Sequence, residues 1–360
     1  MPEAATWPPE AGPAFGILPN DTLTRAIDAL ASGHDLSQEE ASAVLAEIMA
    51  GEASETQIAG FLIALRTKGE TVAELAGLAG TMRALATGVP CARDDLVDTA
   101  GTGGGRPTFN VSTTAALIAA GAGCAMAKHG NRSATSLSGS ADVLEALGAR
   151  IDLAPDAVAR CIDHAGFGFM FAPAHHQATR FVVPVRKELA VRTIFNFLGP
   201  LTNPAGARRQ LIGVSDPAYL ERMASALARL GVDRALVVSS EDGLDEMSTS
   251  APTHVVEVNG NAIERYVVSP QDVGVATTSP DAVAGGTPEV NARTTRAILE
   301  GEHGAARELA LLNAGAAIYA GGLADSLREG VEAAREAVDS GAALRATEAY
   351  LDLSRELAPA

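Results

Sequence analysis

Between Asp21 and Gly88, apolar residues recur at helical intervals, and each stretch opens on a polar residue suited to cap it. Ser37 with Glu40, Ser54 with Gln57 and Thr71 with Glu74 keep one spacing, in which a hydroxyl takes an orphan backbone N–H and an acid or amide reaches back to the cap. Gly51, Gly69 and Gly88 follow the same segments and predict C-caps, because glycine enters the left-handed backbone without steric cost. This texture predicts a small all-helical domain over residues 20–92.

From Leu96 the period changes. LVDTA (96–100), CAMA (124–127), FGFMFA (167–172), LIGV (211–214) and ALVVSS (235–240) are short apolar runs, separated by helical stretches such as TTAALIAAGAG and SADVLEALG. The alternation predicts an α/β fold class over residues 93–360, a larger domain with a mostly parallel central sheet, helical again from Pro288. Ligands of such sheets sit beyond the C-terminal ends of the strands, and two unusual loops fall there.

Composition narrows the partners. A chain of 360 residues suits two domains. It has no apolar run long enough to span a bilayer, so no membrane partner is expected. Five prolines in residues 1–19, with no basic start before an apolar stretch, predict a disordered Pro-rich tail and not a signal peptide. The three cysteines lack any CxxC pairing and predict reduced thiols and a cytoplasmic location. A net charge of −17 argues against a nucleic-acid partner and makes the placement of Lys128, Arg132, Arg186, Lys187 and Arg192 informative.

DTAGTGGGRPTFNVSTT (98–114) carries four glycines in five positions, so a ligand can approach the backbone, and Asn110, Ser112, Thr113 and Thr114 then open a helix whose first N–H groups attract phosphate. It is neither a Walker sequence nor GxGxxG. KHGNRSATSLSGSAD (128–142) puts an ammonium, a guanidinium, an imidazole, an amide and five hydroxyls between a strand and a helix, a donor set that pyrophosphate demands. His175 and His176 precede Arg186, which suits a carboxylate ligand or an ion pair with Glu188; neighbouring histidines point apart, which disfavours a metal there. Asp245 and Glu246 in DGLDEMSTSAP (242–252) are adjacent acids at a strand end, able to hold Mg²⁺ through oxygens.

These elements, in this order, resemble the anthranilate phosphoribosyltransferase family of the tryptophan pathway. The resemblance runs from about Leu23 to Leu357 and rests on GEASETQIAGFLIALRTKGET, KHGNRS, PVRKELAVRTIFNFLGPLTNPAG, GLDE and ADSLREG. It implies transfer of the 5-phosphoribosyl group of phosphoribosyl pyrophosphate to the amine of anthranilate, by a homodimer whose helical domain is joined by part of 185–205. It places Gly101, Gly104, Gly105, Thr108, Asn110, Val111, Ser112, Thr113, Lys128, His129, Gly130, Asn131, Arg132, Ser133, Ala134, Thr135, Ser136 and Ser140 at the phosphoribosyl pyrophosphate positions. It places Gly101, Asn131, Arg186, His129 and His176 around anthranilate, with Lys128 and Arg186 as the catalytic pair. Ser112, Asp245 and Glu246 fall at the Mg²⁺ positions, where two ions per subunit are implied.

One departure stands out. The family reads GTGGD before FN[IV]ST, whereas this chain reads GTGGGRPTFNVST, one residue shorter and without the carboxylate. The loss, with Arg106 next door, predicts a lower Mg²⁺ optimum or weaker inhibition by Mg²⁺. A nucleoside phosphorylase of the same superfamily is the nearest rival, disfavoured by KHGNRS together with GLDE; a nucleic-acid-binding relative is disfavoured by the acidic balance. A preference for a substituted anthranilate stays open.

Overall fold

The structure, a computed structural model, describes residues 19–133 and 136–359. Ala134, Thr135 and residues 1–18 of the expected tail lie outside the described residues.

Four helices come first: α1 (Asp21–Ala31), α2 (Gln38–Ala50), α3 (Glu55–Lys68) and α4 (Val72–Leu85). The capping boxes of Ser37 with Glu40 and Thr71 with Glu74 form in both directions. Ser54 caps α3, but Gln57 does not reach back; its side chain instead exchanges hydrogen bonds with the Asn20 backbone. Gly51 ends α2 in the left-handed region and Gly69 ends α3. Gly88 caps nothing: α4 stops at Leu85 with Ala86 in extended backbone, because the chain leaves to reach the sheet. Glu74 also does more than cap. It is buried, accepts from Leu36 N and Thr71 N, and pairs with Lys68 at 3.0 Å. Removing one partner of such a buried pair costs about 3–5 kcal/mol.

The remainder runs β1 (Leu96–Gly101), α5 (Val111–Gly121), β2 (Ala125–Gly130), α6 (Ser140–Leu147), α7 (Pro155–Ala165), β3 (Phe167–Phe171), α8 (Ala172–His175), α9 (Val183–Leu189), α10 (Phe195–Leu201) and β4 (Arg209–Gly213). It continues through α11 (Leu220–Arg229), β5 (Arg234–Ser240), β6 (Thr253–Asn259), β7 (Ala262–Val268), α12 (Pro288–Leu299), α13 (Ala305–Ala320), α14 (Leu327–Asp339) and α15 (Ala342–Leu357). Among the described residues the strands form one sheet of order β3-β2-β1-β4-β5-β6-β7, parallel except for β6 and β7. The antiparallel hairpin is an element the sequence reading passed over.

The sheet has a core on each side. One packs β1–β3 against α5, α7 and the C-terminal helices. The other joins residues of α1–α4 to Val182, Val185, Ile194–Leu201 and α11, so the early helices share their apolar interior with the 182–201 segment. Strand order reverses between β1 and β4, the switch point at which sheets of this kind open a crevice. Their last residues, Gly101 and Gly213, sit side by side there.

Candidate active site

The Gly-rich loop crosses that switch point pressed against the 242–246 turn. A Cβ at Gly105 would fall 2.6 Å from Asp245 Oδ1, one at Gly101 3.1 Å from Asp245 Oδ2, and one at Gly213 2.0 Å from the Asp245 carbonyl oxygen. Glycine is therefore a steric requirement at Gly105 and Gly213, where a Cβ would strike the Asp245 backbone, and Gly101 leaves room for its carboxylate. Arg106 fixes the same contact from outside. Its N–H donates to Gly243 O at 2.8 Å, and its guanidinium bonds Asp242 Oδ2 and Pro280 O. It points away from the crevice.

Val111, Ser112 and Thr113 form the first turn of α5, and no side chain caps it. Asn110, at the cap position, is spent elsewhere: its amide donates to Ser138 O and its oxygen accepts from Ser138 and Asn291, tying the two loops together. Val111 N donates to Phe109 O at 2.7 Å, and the N–H groups of Ser112 and Thr113 are left for an anion. Thr108 lies in the same loop, half-buried, against Gly285.

Lys128 and His129 belong to β2, not to the loop after it, and so point in opposite directions. The Lys128 ammonium is buried and donates to Thr99 O at 2.6 Å, to Thr99 Oγ1 and, at 3.4 Å, to Ser112 Oγ. Burial pushes it down to about 8, while Asp98 and Glu246 pull the other way, so it stays protonated at neutral pH. Glu246 is raised well above the usual carboxylate range by burial and by Asp245 beside it; Asp245 is raised by burial too. A divalent cation beside the pair would offset the cost of ionising both. The donor set fits Mg²⁺: Glu246 Oε2 is buried without a partner, Asp245 and Ser112 add oxygens, and substrate phosphates and water complete such sites. Ser112 and Glu246 both line a recess with about 220 Å³ of empty space, along with Thr99 and Gly213.

The loop after β2 is wrapped around Asp142. Ser133 N and Gly139 N donate to its carboxylate, Ser140 Oγ donates to Asn131 O, and Ser133 accepts from Ser136 N. Gly130 lies against Ser140, whose hydroxyl would be 2.2 Å from any Cβ there. Arg132 does not join Lys128: it is half exposed and pairs with Glu145 and Asp142. The expected gathering of cations around the acids therefore holds for Lys128 and not, in this conformation, for Arg132. Ala134 and Thr135 lie outside the described residues.

The last cluster lies beside α10. The His129 and His176 rings are 5.1 Å apart and buried, and both Nε2 atoms lack a partner. Burial and then His176 lower His129 to about 3, and burial and then His175 lower His176 to about 4, so both are neutral imidazoles. His129 Nδ1 faces Gly199 O, while His175 Nδ1 is taken by Thr87 O and is structural. Arg186 stands on α9 over the Phe195 ring, 5.5 Å from its centroid, with a long contact to Asn196. It forms no ion pair with Glu188 or any other acid among the described residues. A half-buried guanidinium without a carboxylate fits a ligand that brings one.

Two residues absent from the sequence reading hold these pieces. Asp98 on β1 is buried, accepts from His129 N at 3.1 Å and from Asn203 Nδ2 at 2.8 Å, and Asn203 also donates to Ala127 O. A carboxylate and an amide inside a strand and a proline-rich turn were signals, since burial of either needs partners.

Comparison with known proteins gives the family. Residues 24–86 match the helical bundle domain of the glycosyl transferase family and residues 93–344 its a/b domain. The chain is 53% identical over 338 residues to an anthranilate phosphoribosyltransferase of Rubrobacter xylanophilus, covering 93% of this chain and 98% of that one. Its fold matches the crystal structure of anthranilate phosphoribosyltransferase from Thermus thermophilus with a TM-score of 0.87 at 46% identity, covering 92% of this chain and 99% of that one. It also matches the enzyme of Saccharomyces cerevisiae in complex with phosphoribosyl pyrophosphate and Mg, with a TM-score of 0.85 at 27% identity over 93% of this chain and 98% of that one.

Proposed function

We propose the following division of labour from the premise that the chain belongs to the glycosyl transferase family, among its anthranilate phosphoribosyltransferases. It transfers the 5-phosphoribosyl group of phosphoribosyl pyrophosphate to the amine of anthranilate, giving N-(5-phosphoribosyl)anthranilate and pyrophosphate in tryptophan biosynthesis. The observation that carries the residue assignment is the meeting of Lys128, Ser112 and the Asp245–Glu246 pair across glycines at the switch point.

In this reading the α5 N-terminus, the Gly-rich loop and the loop from Lys128 to Ser140 bind the phosphorylated sugar, while Arg186 orients the anthranilate carboxylate between Asn131, His129 and His176. Ser112, Asp245 and Glu246 would hold Mg²⁺, two ions per subunit, which would supply positive charge to the departing pyrophosphate. Lys128 stabilises the same charge from the strand end. The C1–oxygen bond breaks, the amine nitrogen bonds to C1, and the nitrogen then releases its proton. An aromatic amine is neutral at pH 7, so rate comes from juxtaposition and from stabilising the leaving group, with no strong base required. Exposed Ile63 on α3 and Val183 on the adjoining α9 support a homodimer through the helical part, which sedimentation tests.

The decisive assay follows anthranilate fluorescence with phosphoribosyl pyrophosphate and varied Mg²⁺. Loss of fluorescence only when both substrates are present is the expected outcome; phosphorolysis of thymidine or uridine without it would overturn the reading.

A further inference from the structure

Arg106 and Arg132 both commit their guanidinium groups to carboxylates. Arg192, between α9 and α10, does not. Its guanidinium lies over the Phe197 ring, donates from Nη1 to Ser215 Oγ at 3.1 Å, and keeps a buried Nη2 without a partner. Ser215 relays the contact, because its hydroxyl donates to Gly103 O at 2.8 Å and its N–H to Thr102 Oγ1 at 3.1 Å. Gly104 meets the fork directly: its φ of +84° favours glycine, and a Cβ there would fall 2.4 Å from Arg192 Nη1 and push the guanidinium aside.

Arg192 is anchored to the early helices as well. Its carbonyl accepts from Arg66 on α3 at 2.8 Å, and Phe197 stacks on Tyr219, whose hydroxyl donates to Glu70. Arg192 thus links the helical part, through its carbonyl, to the loop over the switch point, through its guanidinium.

We propose that Arg192 is a positioning residue for the pyrophosphate loop: through Ser215 and Gly104 it latches residues 101–105 in the shape that receives the phosphorylated sugar, and it makes that shape depend on the seating of the helical domain. The proposal rests on the transferase reading above. A planar fork is needed, since an ammonium cannot lie flat on a ring and a glycine while also reaching Ser215.

The test compares Arg192→Ala, Arg192→Lys, Ser215→Ala and Ser215→Thr by initial rates in each substrate, with calorimetric binding of phosphoribosyl pyrophosphate and Mg²⁺ alongside. Both Arg192 variants should raise the KM for the sugar at least about tenfold and leave that for anthranilate within about twofold. Ser215→Ala should raise the sugar KM about three- to tenfold, and Ser215→Thr, which keeps the hydroxyl, should restore it. The double variant Arg192→Ala/Ser215→Ala should be no worse than Arg192→Ala alone, because both changes break one link. Equal rises in both KM values, additive effects, or an unmoved sugar KM would overturn the proposal. Should Arg192→Ala not fold, the Ser215 pair carries the test. A wild-type protein that turns over nothing would indict the transferase reading, not the latch.

Discussion

On the sugar-phosphate side of the crevice, glycines let backbone and carboxylates crowd together, and the Lys128 ammonium is hydrogen-bonded to Thr99 and Ser112. On the side of Arg186 the surroundings are neutral imidazoles and an aromatic ring, around a guanidinium with no acid. In the proposed division of labour the first side meets a highly charged ligand whose charge changes in the reaction, and the second a flat ligand whose one fixed charge does not. Close-set acids beside a buried ammonium suit the former, and a single cation over an aromatic ring suits the latter.

The contrast can be broken at its most costly point first. Lys128→Met should lower kcat about 10²- to 10³-fold, since it removes a buried charge facing the leaving group. A drop confined to the anthranilate KM would misplace Lys128. Arg186→Ala should raise the anthranilate KM roughly 10- to 100-fold with the sugar KM little changed. An equal rise in both, seen in the same initial-rate series, would sink its role on the second side.

Gly105→Asp restores the family's carboxylate, but into space where a Cβ already lies 2.6 Å from Asp245 Oδ1. The loop must move, so the sugar KM should rise about tenfold and the Mg²⁺ titration should shift toward a higher optimum or stronger inhibition. An unchanged titration would mean that the missing acid does not set metal dependence here.

The weakest lever is acid. His129 and His176 protonate near 3 and 4 in the folded protein, below the ordinary histidine value near 6.5, so the unfolded chain binds more protons as pH falls. Both are neutral in either state at pH 7 and take nothing from stability there. Below about 6.5 each should remove about 1.4 kcal/mol of stability per pH unit until its folded pKa is reached. Urea melts at stepped pH test this, and His176→Gln should flatten the slope; a slope unchanged in that variant would show that the pair is not its source.

Much of the local structure was legible. The Ser37–Glu40 and Thr71–Glu74 boxes, the strands before each loop and the α5 N-terminus follow from spacings of a few residues, and they form as read. The β6–β7 hairpin was legible too but passed over: Gly260–Asn261 between the two runs is a two-residue hairpin turn signal. Gly88 failed as a cap because tertiary packing, not propensity, ended α4.

The sequence by itself determined the helical and α/β halves, the polar loops at strand ends and the chemistry those loops can hold, because periodicity, capping and close approach at glycine are short-range properties. Only the tertiary structure decided which cations face the acids. Arg106 and Arg132 are drawn to carboxylates 136 and 13 residues away, whereas Arg192 reaches Ser215 and Gly104 from across the crevice. Ion pairing and burial depend on distance in space, and no spacing along the chain encodes which of several competing acids a guanidinium will meet.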